Sequence, residues 1–201
     1  YDRPQECYGG ALSRCGFGPT EDVSHGGNHG MPATAVKTRE PEEFVVCPFT
    51  IGIDTREQSP WGFRDVRADA KDKHAPMVIK VDRVTLKTGD YSIIGHEDQI
   101  AIERKEKGDC FHCMGKDRER FERQVQRLAE IPHSYVIVEA DWQSVFSGHP
   151  RSELKPKVIH RTIISWQQKY RNVHWFLCPT RSFAEATAFR ILESYHKKFG
   201  Q

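Results

Sequence analysis

The sequence has no apolar run that approaches the roughly 18 residues of a membrane-spanning helix, so we expect no membrane span. It also lacks the charged and apolar regions of a secretory signal peptide. Its six cysteines are therefore weak support for disulfides in a chain of 201 residues. These absences favour an intracellular, reducing compartment, in the cytoplasm or a nucleus. Because the chain begins at Tyr1 rather than Met, we expect a fragment, a processed chain or missing residues.

Strong net charge is also missing, since the formal charge is only +2 and the pI is near 8.2. Overall charge alone does not predict a nucleic-acid partner, and any basic surface must be local. Hydrophobic residues make up 37% and charged residues 29% of the chain, as in a soluble globular protein. The length fits one principal domain with an appendage.

Large apolar residues are scarce before residue 44, where Gly, Pro, Ser and His dominate. We predict an irregular N-terminal arm over residues 1–43 and a folded domain over residues 44–201. Within the arm, Cys and His side chains form a candidate zinc set. The set is Cys7, Cys15, His25 and His29. Its His-x3-His spacing suits zinc but its Cys-x7-Cys spacing does not, so an arm without metal stays an open alternative.

The domain shows short apolar runs first and helical periodicity later. The predicted strands are 49–54, 77–81, 91–94, 99–103, 134–139 and 172–178. The predicted helices are 116–131, 158–171 and a last one from Ser182 to Gly200. This order predicts an α/β domain with a mixed central sheet flanked by helices. We expect the first four strands to form a hairpin-rich meander.

Two carboxylates and a lysine stand at the centre of this pattern. Asp90 follows a Gly turn, and the strand ending near Ile102 continues into Glu103-x-Lys105. Residues two apart share one face of a strand, so Glu103 and Lys105 should project together while Arg104 points away. Such a group can hold Mg²⁺ or Mn²⁺ and promote phosphodiester hydrolysis. The alternative is a solvated run of charges, and the spacing alone does not decide between the two.

Four motifs in this order resemble the XPF family of nucleases. Residues 85–92 and 102–109 resemble its motif Gly-Asp-(x)n-Glu-Arg-Lys-x3-Asp. Residues 53–57 resemble its upstream Asp-x-Arg-Glu motif, Arg120-x3-Gln124 its following helix, and residues 136–139 its next strand. The similarity covers roughly residues 48–199.

The resemblance implies a restriction-endonuclease-like fold and Mg²⁺- or Mn²⁺-dependent cutting of branched or flapped DNA, with a role in DNA repair or recombination. It implies acidic, metal-binding site residues and a catalytic lysine. These are Asp90, Glu103 and Asp109 with Lys105. It implies a supporting set of Asp54, Arg56, Glu57, Arg104, Arg120 and Gln124. It also implies a homodimer. In the family a helix-hairpin-helix module usually follows the nuclease domain and drives dimerisation, and residues 1–201 do not include that module, so dimerisation stays open.

Basic residues follow the motif and predict a DNA-binding surface. They are Lys116, Arg118, Arg123, Arg127, Arg151, Lys155 and Lys157. Acidic neighbours make an ordinary solvated helix face an equal alternative. Trp61 and Phe63 suit either core packing or stacking on an unpaired base.

Two further alternatives remain open. Cys110, His112 and Cys113 could offer metal ligands, but no second pair accompanies them, so we expect them to lie in a loop.

The function predicted is an endonuclease that uses metal-activated water. The alternative is a non-catalytic DNA-binding or scaffolding partner of another nuclease.

Overall fold

The structure is a computed structural model that describes residues 43–72 and 74–200. The candidate zinc ligands Cys7, Cys15, His25 and His29 lie outside the described residues, as does the predicted arm up to residue 42. No helix within the described ranges is long and apolar enough to cross a membrane.

Among the described residues, six strands form one mixed sheet, as the sequence predicts. They are β1 (Val45–Asp54), β2 (Met77–Val84), β3 (Tyr91–Ile93), β4 (Ile100–Glu106), β5 (His133–Glu139) and β6 (Val173–Leu177). Their order across the sheet is β2-β1-β3-β4-β5-β6. Strand β3 pairs antiparallel with β1 and β4, and every other neighbouring pair is parallel.

The expected meander of the first four strands is wrong. Strand β3 inserts between β1 and β4, and β2 pairs in parallel with β1 at the edge of the sheet. The burial pattern gives the physical reason, because most of β2 is exposed whereas all of β3 is buried. A strand buried on both faces belongs inside the sheet, and a largely exposed one belongs at its edge.

In the part of the chain that the structure describes, five helices cover the two faces. They are α1 (Lys107–Met114), α2 (Arg118–Leu128), α3 (Trp142–Phe146), α4 (Pro156–Lys169) and α5 (Arg181–Phe199), with a 3₁₀ turn at Ala70–Asp72. On one face α5 buries Phe189 and Leu192 with Ile51 of β1. On the other face Val125 of α2 and Ile163 of α4 pack with Val136 of β5.

Helix α1 lies where a loop containing Cys110, His112 and Cys113 was expected, and that expectation is wrong. Its buried residues are Cys110, Phe111 and Met114, a spacing of one and four residues that places all three on one side of a helix. The buried face attaches the chain to the second core directly after β4. It thereby fixes the direction in which the polypeptide leaves the candidate site.

Candidate active site

Pairing of β3 with β4 seats Asp90 beside Glu103. Tyr91 lies opposite Ile102 in the ladder, and the Asp90 backbone N–H donates to the Ile102 carbonyl at 2.7 Å. The Arg104 backbone N–H donates to Asp90 Oδ2, also at 2.7 Å. Gly89 makes this approach feasible. Its φ is +80°, and a Cβ there would lie 3.2 Å from the Ile102 carbonyl oxygen.

Glu103 is almost wholly buried and both of its carboxylate oxygens are engaged. Lys105 Nζ donates to Oε1, which confirms that the two side chains share one face of β4. Gln124 Nε2, on α2, donates to Oε2 at 2.5 Å. The Lys105 ammonium lies 5.1 Å from the centre of the Phe121 ring, in cation–π range. The site is therefore supplied by three elements: the turn before β3, β4 and α2.

Burial and neighbouring charges shift the pKa values of Asp90 and Lys105. Burial, followed by repulsion from Glu103, raises the pKa of Asp90 to about 8. Burial acts to lower the pKa of Lys105, but attraction to Glu103 outweighs it and the pKa lies above its usual value. One lysine thus faces two acids in a largely water-excluded place, and a further cation would relieve the excess negative charge.

Arg104 occupies the opposite face and makes a different set of contacts. Its side chain is 5% exposed and donates to Glu139 at 2.7 Å and to Glu106 at 2.6 Å, with Glu57 at 3.5 Å. The guanidinium carbon also lies 5.8 Å from the Trp61 ring centre. These contacts give Arg104 a structural role, in agreement with the supporting position that the resemblance implies for it.

Asp54 braces the loop that follows β1. It accepts hydrogen bonds from the Arg56 backbone and guanidinium at 2.7–3.0 Å and from the Leu86 backbone N–H at 2.8 Å. Burial opposes ionisation of Asp54, but these hydrogen bonds outweigh burial and hold its pKa below the usual range. Asp54 therefore fixes Arg56, whose charge is felt by Asp90 and Glu103.

Two predicted site residues do not join the carboxylate pair. Asp109 lies exposed in the first turn of α1. Arg120 is 78% exposed and lies 3.7 Å from Asp117, whereas Gln124 one turn later contacts Glu103. Within the described residues, no group of three or more His, Cys, Asp or Glu side chains is arranged to hold a metal ion.

Sequence reasoning missed the role of Glu139 at the end of β5. Its Oε1 accepts from Trp61 Nε1 at 2.8 Å and lies 3.3 Å from Arg181 Nη1. A carboxylate directly after the apolar run of β5 was the only available signal. Trp61 and Phe63 are both 1% exposed, and the Trp61 ring stacks on Tyr91 at 4.7 Å. Core packing is therefore the correct alternative for these two aromatics.

The predicted DNA-contacting residues lie at the surface of α2, the loop after α3 and the start of α4. Most of them are exposed: Lys116, Arg123, Arg127, Arg151, Lys155 and Lys157. Arg118 is half-buried, with its guanidinium 5.3 Å from the Trp166 ring centre.

A mixed six-stranded sheet with helices on both faces, carrying this group where β3 and β4 meet, defines the restriction-endonuclease-like class of α/β folds. Residues 53–189 match the family model described as the ERCC4 domain, which is more than half of the chain. The chain therefore belongs to the ERCC4-domain, XPF-type nuclease family, which confirms the resemblance found in the motifs.

Solved structures agree on the fold. XPF from Aeropyrum pernix has a TM-score of 0.50 at 21% identity, over 76% of this chain and 62% of that chain. The same protein in complex with DNA has a TM-score of 0.50 at 22% identity, over 75% and 66%. The match thus spans just under two thirds of either archaeal chain. None of the curated proteins compared with this sequence matches it.

Proposed function

We propose that the chain is a metal-dependent DNA endonuclease that hydrolyses phosphodiesters in branched, flapped or single-strand-containing DNA. The observation that carries this proposal is the buried Asp90–Glu103 pair, with Lys105 and Gln124 donating to Glu103. Buried acids with strongly shifted pKa values cluster at functional sites. Membership of the family supports the same reaction.

The donor set fits a hard divalent cation. Mg²⁺ is typically held by one or two carboxylates together with waters and substrate phosphates, so Asp90 and Glu103 suffice. Burial and repulsion from Glu103 raise the pKa of Asp90, so a bound cation beside it would favour its ionised form. When bound, Mg²⁺ or Mn²⁺ would act as a Lewis acid on the phosphoryl oxygens and lower the pKa of a water. The role of Asp109 as a third ligand remains a prediction from the resemblance.

The protein's own groups have separate tasks in this proposal. Lys105 donates to the attacking water or to a phosphoryl oxygen, where negative charge grows as the water oxygen bonds to phosphorus and the bridging P–O bond breaks. The water passes its proton to solvent, and the leaving oxygen takes one from solvent. Gln124 holds the Glu103 carboxylate, and the Arg104 backbone N–H holds Asp90. Two carboxylates kept in fixed positions reduce the reorganisation needed in the transition state.

DNA as the substrate is supported by the exposed basic residues and by the fold shared with Aeropyrum pernix XPF, whose structure has been solved in complex with DNA. The resemblance also implies a homodimer, which sedimentation of the purified chain would test. Zinc binding by the N-terminal arm remains a prediction that metal analysis of the intact chain would address.

The experiment is cleavage of flap, fork, nicked and linear DNAs with Mg²⁺ and with EDTA. We expect the wild type to cleave the flap, fork and nicked DNAs in Mg²⁺ and none of the DNAs in EDTA. The Asp90→Ala variant should cleave none of them. Asp98→Ala is the matched control, since Asp98 is exposed in the β3–β4 turn. Cleavage that persists in EDTA would remove the metal mechanism.

The second candidate is a non-catalytic DNA-binding partner of another nuclease. The lack of a three-ligand metal group among the described side chains favours it. Binding of the same DNAs without cleavage in Mg²⁺ or Mn²⁺ would select this alternative. The chain would then share DNA binding with its family but not the hydrolysis of phosphodiesters.

A further inference from the structure

A cleft of about 730 Å³ lies between α1 and the segment 149–154. Gly108, Phe111 and Gly115 line its helical wall, at spacings of three and four residues that define one side of a helix. At Gly108 an added Cβ would lie 3.4 Å from His149 Nε2, so the segment closes on the helix there. The volume is in the range of about 300–1,000 Å³ in which proteins bind small molecular groups.

The charged side chains of the cleft are mostly cationic. Lys116 and Arg151 line it, and Glu153 is the one carboxylate among its described lining residues. An adjoining hollow of about 500 Å³ shares the lining residues Gly115 and Leu154 with the cleft. It adds two more cations, Arg118 and Arg161.

Arg118 is positioned by neutral partners. Its Nη1 donates to Thr162 Oγ1 at 2.6 Å, and its guanidinium faces the Trp166 ring. Neither partner cancels the charge. Four cations and one carboxylate therefore line the cleft and the hollow beside it, which we call the groove, and Glu122 lies near enough to interact with Arg118. This excess of cations suits a ligand with repeated negative charges.

The groove begins next to the candidate active site. Helix α1 starts at Lys107, two residues after Lys105. Lys107 Nζ lies 3.3 Å from Ser147 Oγ, which ties the start of the helix to the chain entering the cleft wall. From Gly108 to Gly115 the helix rises about 10 Å, so the groove leads away from the site for a distance that several backbone phosphates can follow.

We propose that this groove holds the phosphates of the unpaired DNA strand next to the bond that is cut. The inference rests on the proposed function in taking DNA as the ligand. A positively charged groove that tracks one backbone is how proteins bind single strands without sequence preference. The cleft lies between two chain segments, α1 and 149–154, and a single flexible strand can follow such a cleft more readily than a rigid duplex can.

The test is fluorescence anisotropy with a labelled oligothymidylate of about 15 nucleotides, near the upper site size of one single-strand-binding fold. Binding is measured in EDTA, where the proposed cleavage does not occur. We expect Lys116→Gln/Arg151→Gln to weaken binding at least tenfold. The slope of log affinity against log salt should fall in magnitude by about 1.4 for two lost phosphate contacts on a single strand.

The matched control is Arg171→Gln/Lys198→Gln, which removes the same charge from exposed positions outside the groove. It should leave affinity for the oligonucleotide within twofold of the wild type. Glu153→Gln should tighten binding about two- to threefold, in line with the modest strength of exposed charge interactions. That gain cannot arise from damaged folding.

Equal affinity of the groove variant and the wild type would overturn the proposal. So would an equal loss of affinity for the oligonucleotide and for a blunt duplex, since that outcome indicates a general basic surface. The proposed function fails separately. A wild type that never cleaves in Mg²⁺, yet whose oligonucleotide binding depends on Lys116 and Arg151, would remove the nuclease and retain the groove.

Discussion

The two faces of β4 treat buried charge in opposite ways. On one face, Arg104 pairs with Glu139, Glu106 and Glu57, and Arg181 also lies 3.3 Å from Glu139, so each of these carboxylates has a guanidinium partner. On the other face, Lys105 pairs with Glu103, whereas burial and repulsion from Glu103 raise the pKa of Asp90 despite the nearby charges of Lys105 and Arg56. Neighbouring residues of β4 therefore take part in two different arrangements. Arg104 belongs to a group of ion pairs, whereas Glu103 and Lys105 lie beside the buried Asp90 carboxyl, which the Arg104 backbone N–H holds.

The difference separates stability from function. Compensated ion pairs, once buried, are costly to break but do not call for a ligand. Two buried acids held together raise the free energy of the folded state unless a cation or a proton joins them. The fold keeps the two acids together through the Arg104 backbone N–H and the Gln124 side chain. The face of β4 that carries Glu103 is therefore the candidate catalytic face.

The largest expected effect is on cleavage. Lys105→Ala should lower the single-turnover cleavage rate about 10³-fold, because it removes a donor from the developing charge in a desolvated site. The matched control is Lys80→Ala, since Lys80 is exposed on β2 and lies 3.4 Å from Asp82. A rate within tenfold of the wild type would assign stabilisation of the phosphate to another group.

The next effect breaks the compensated face. Arg104→Met should lower the free energy of unfolding by about 3–5 kcal/mol, because Glu57 would lose its guanidinium partner and Glu139 would keep only Arg181 at 3.3 Å. Urea unfolding followed by circular dichroism measures it. Arg171→Met serves as the control, since Arg171 is exposed. A change below about 1 kcal/mol would mean that water replaces the guanidinium, and the contrast between the faces would disappear.

Much of the fold could be predicted because its central strands are buried on both faces. The run predicted as 134–139 is β5, and that predicted as 49–54 is the buried half of β1. The pairing of the strands was harder to predict. Strand β1 bonds to both β2 and β3, and no local sequence pattern indicates a second partner for a strand. Helix α1 was missed because its three buried residues are too few to outweigh its polar start.

Part of the candidate site could also be predicted. Strand alternation placed Glu103 and Lys105 together, and the Gly turn placed Asp90 beside them. Glu139 was missed because its partner Trp61 is 78 residues away, a separation that no local spacing encodes. Asp109 was grouped with the acids because the resemblance implies it, and the structure places it exposed on a helix that begins at Lys107.

A smaller effect concerns the cost of the carboxylate pair. Asp90 ionises near pH 3.9 when unfolded but near 8 when folded, so the unfolded state releases its proton first. Stability without metal should therefore fall as pH rises from about 4 to 8. Asp90→Asn should remove that loss and raise the Tm in EDTA at pH 8 by about 2–4 °C per kcal/mol gained. Thermal scans measure this shift, with Asp98→Asn as the control, and a lower Tm for Asp90→Asn would contradict it.

The smallest expected effect tests where the site ends. Asp109→Asn should lower cleavage less than tenfold, because Asp109 is exposed on α1 and belongs to no three-ligand metal group among the described residues. Exposed acids contribute only weakly to distant charges in solvent. Rates in Mg²⁺ beside those of Asp90→Ala provide the measurement, with Asp117→Asn as the helix-region control. A loss as large as that of Asp90→Ala would show that DNA or metal draws Asp109 to the pair, and the uncompensated face of β4 would then extend onto α1.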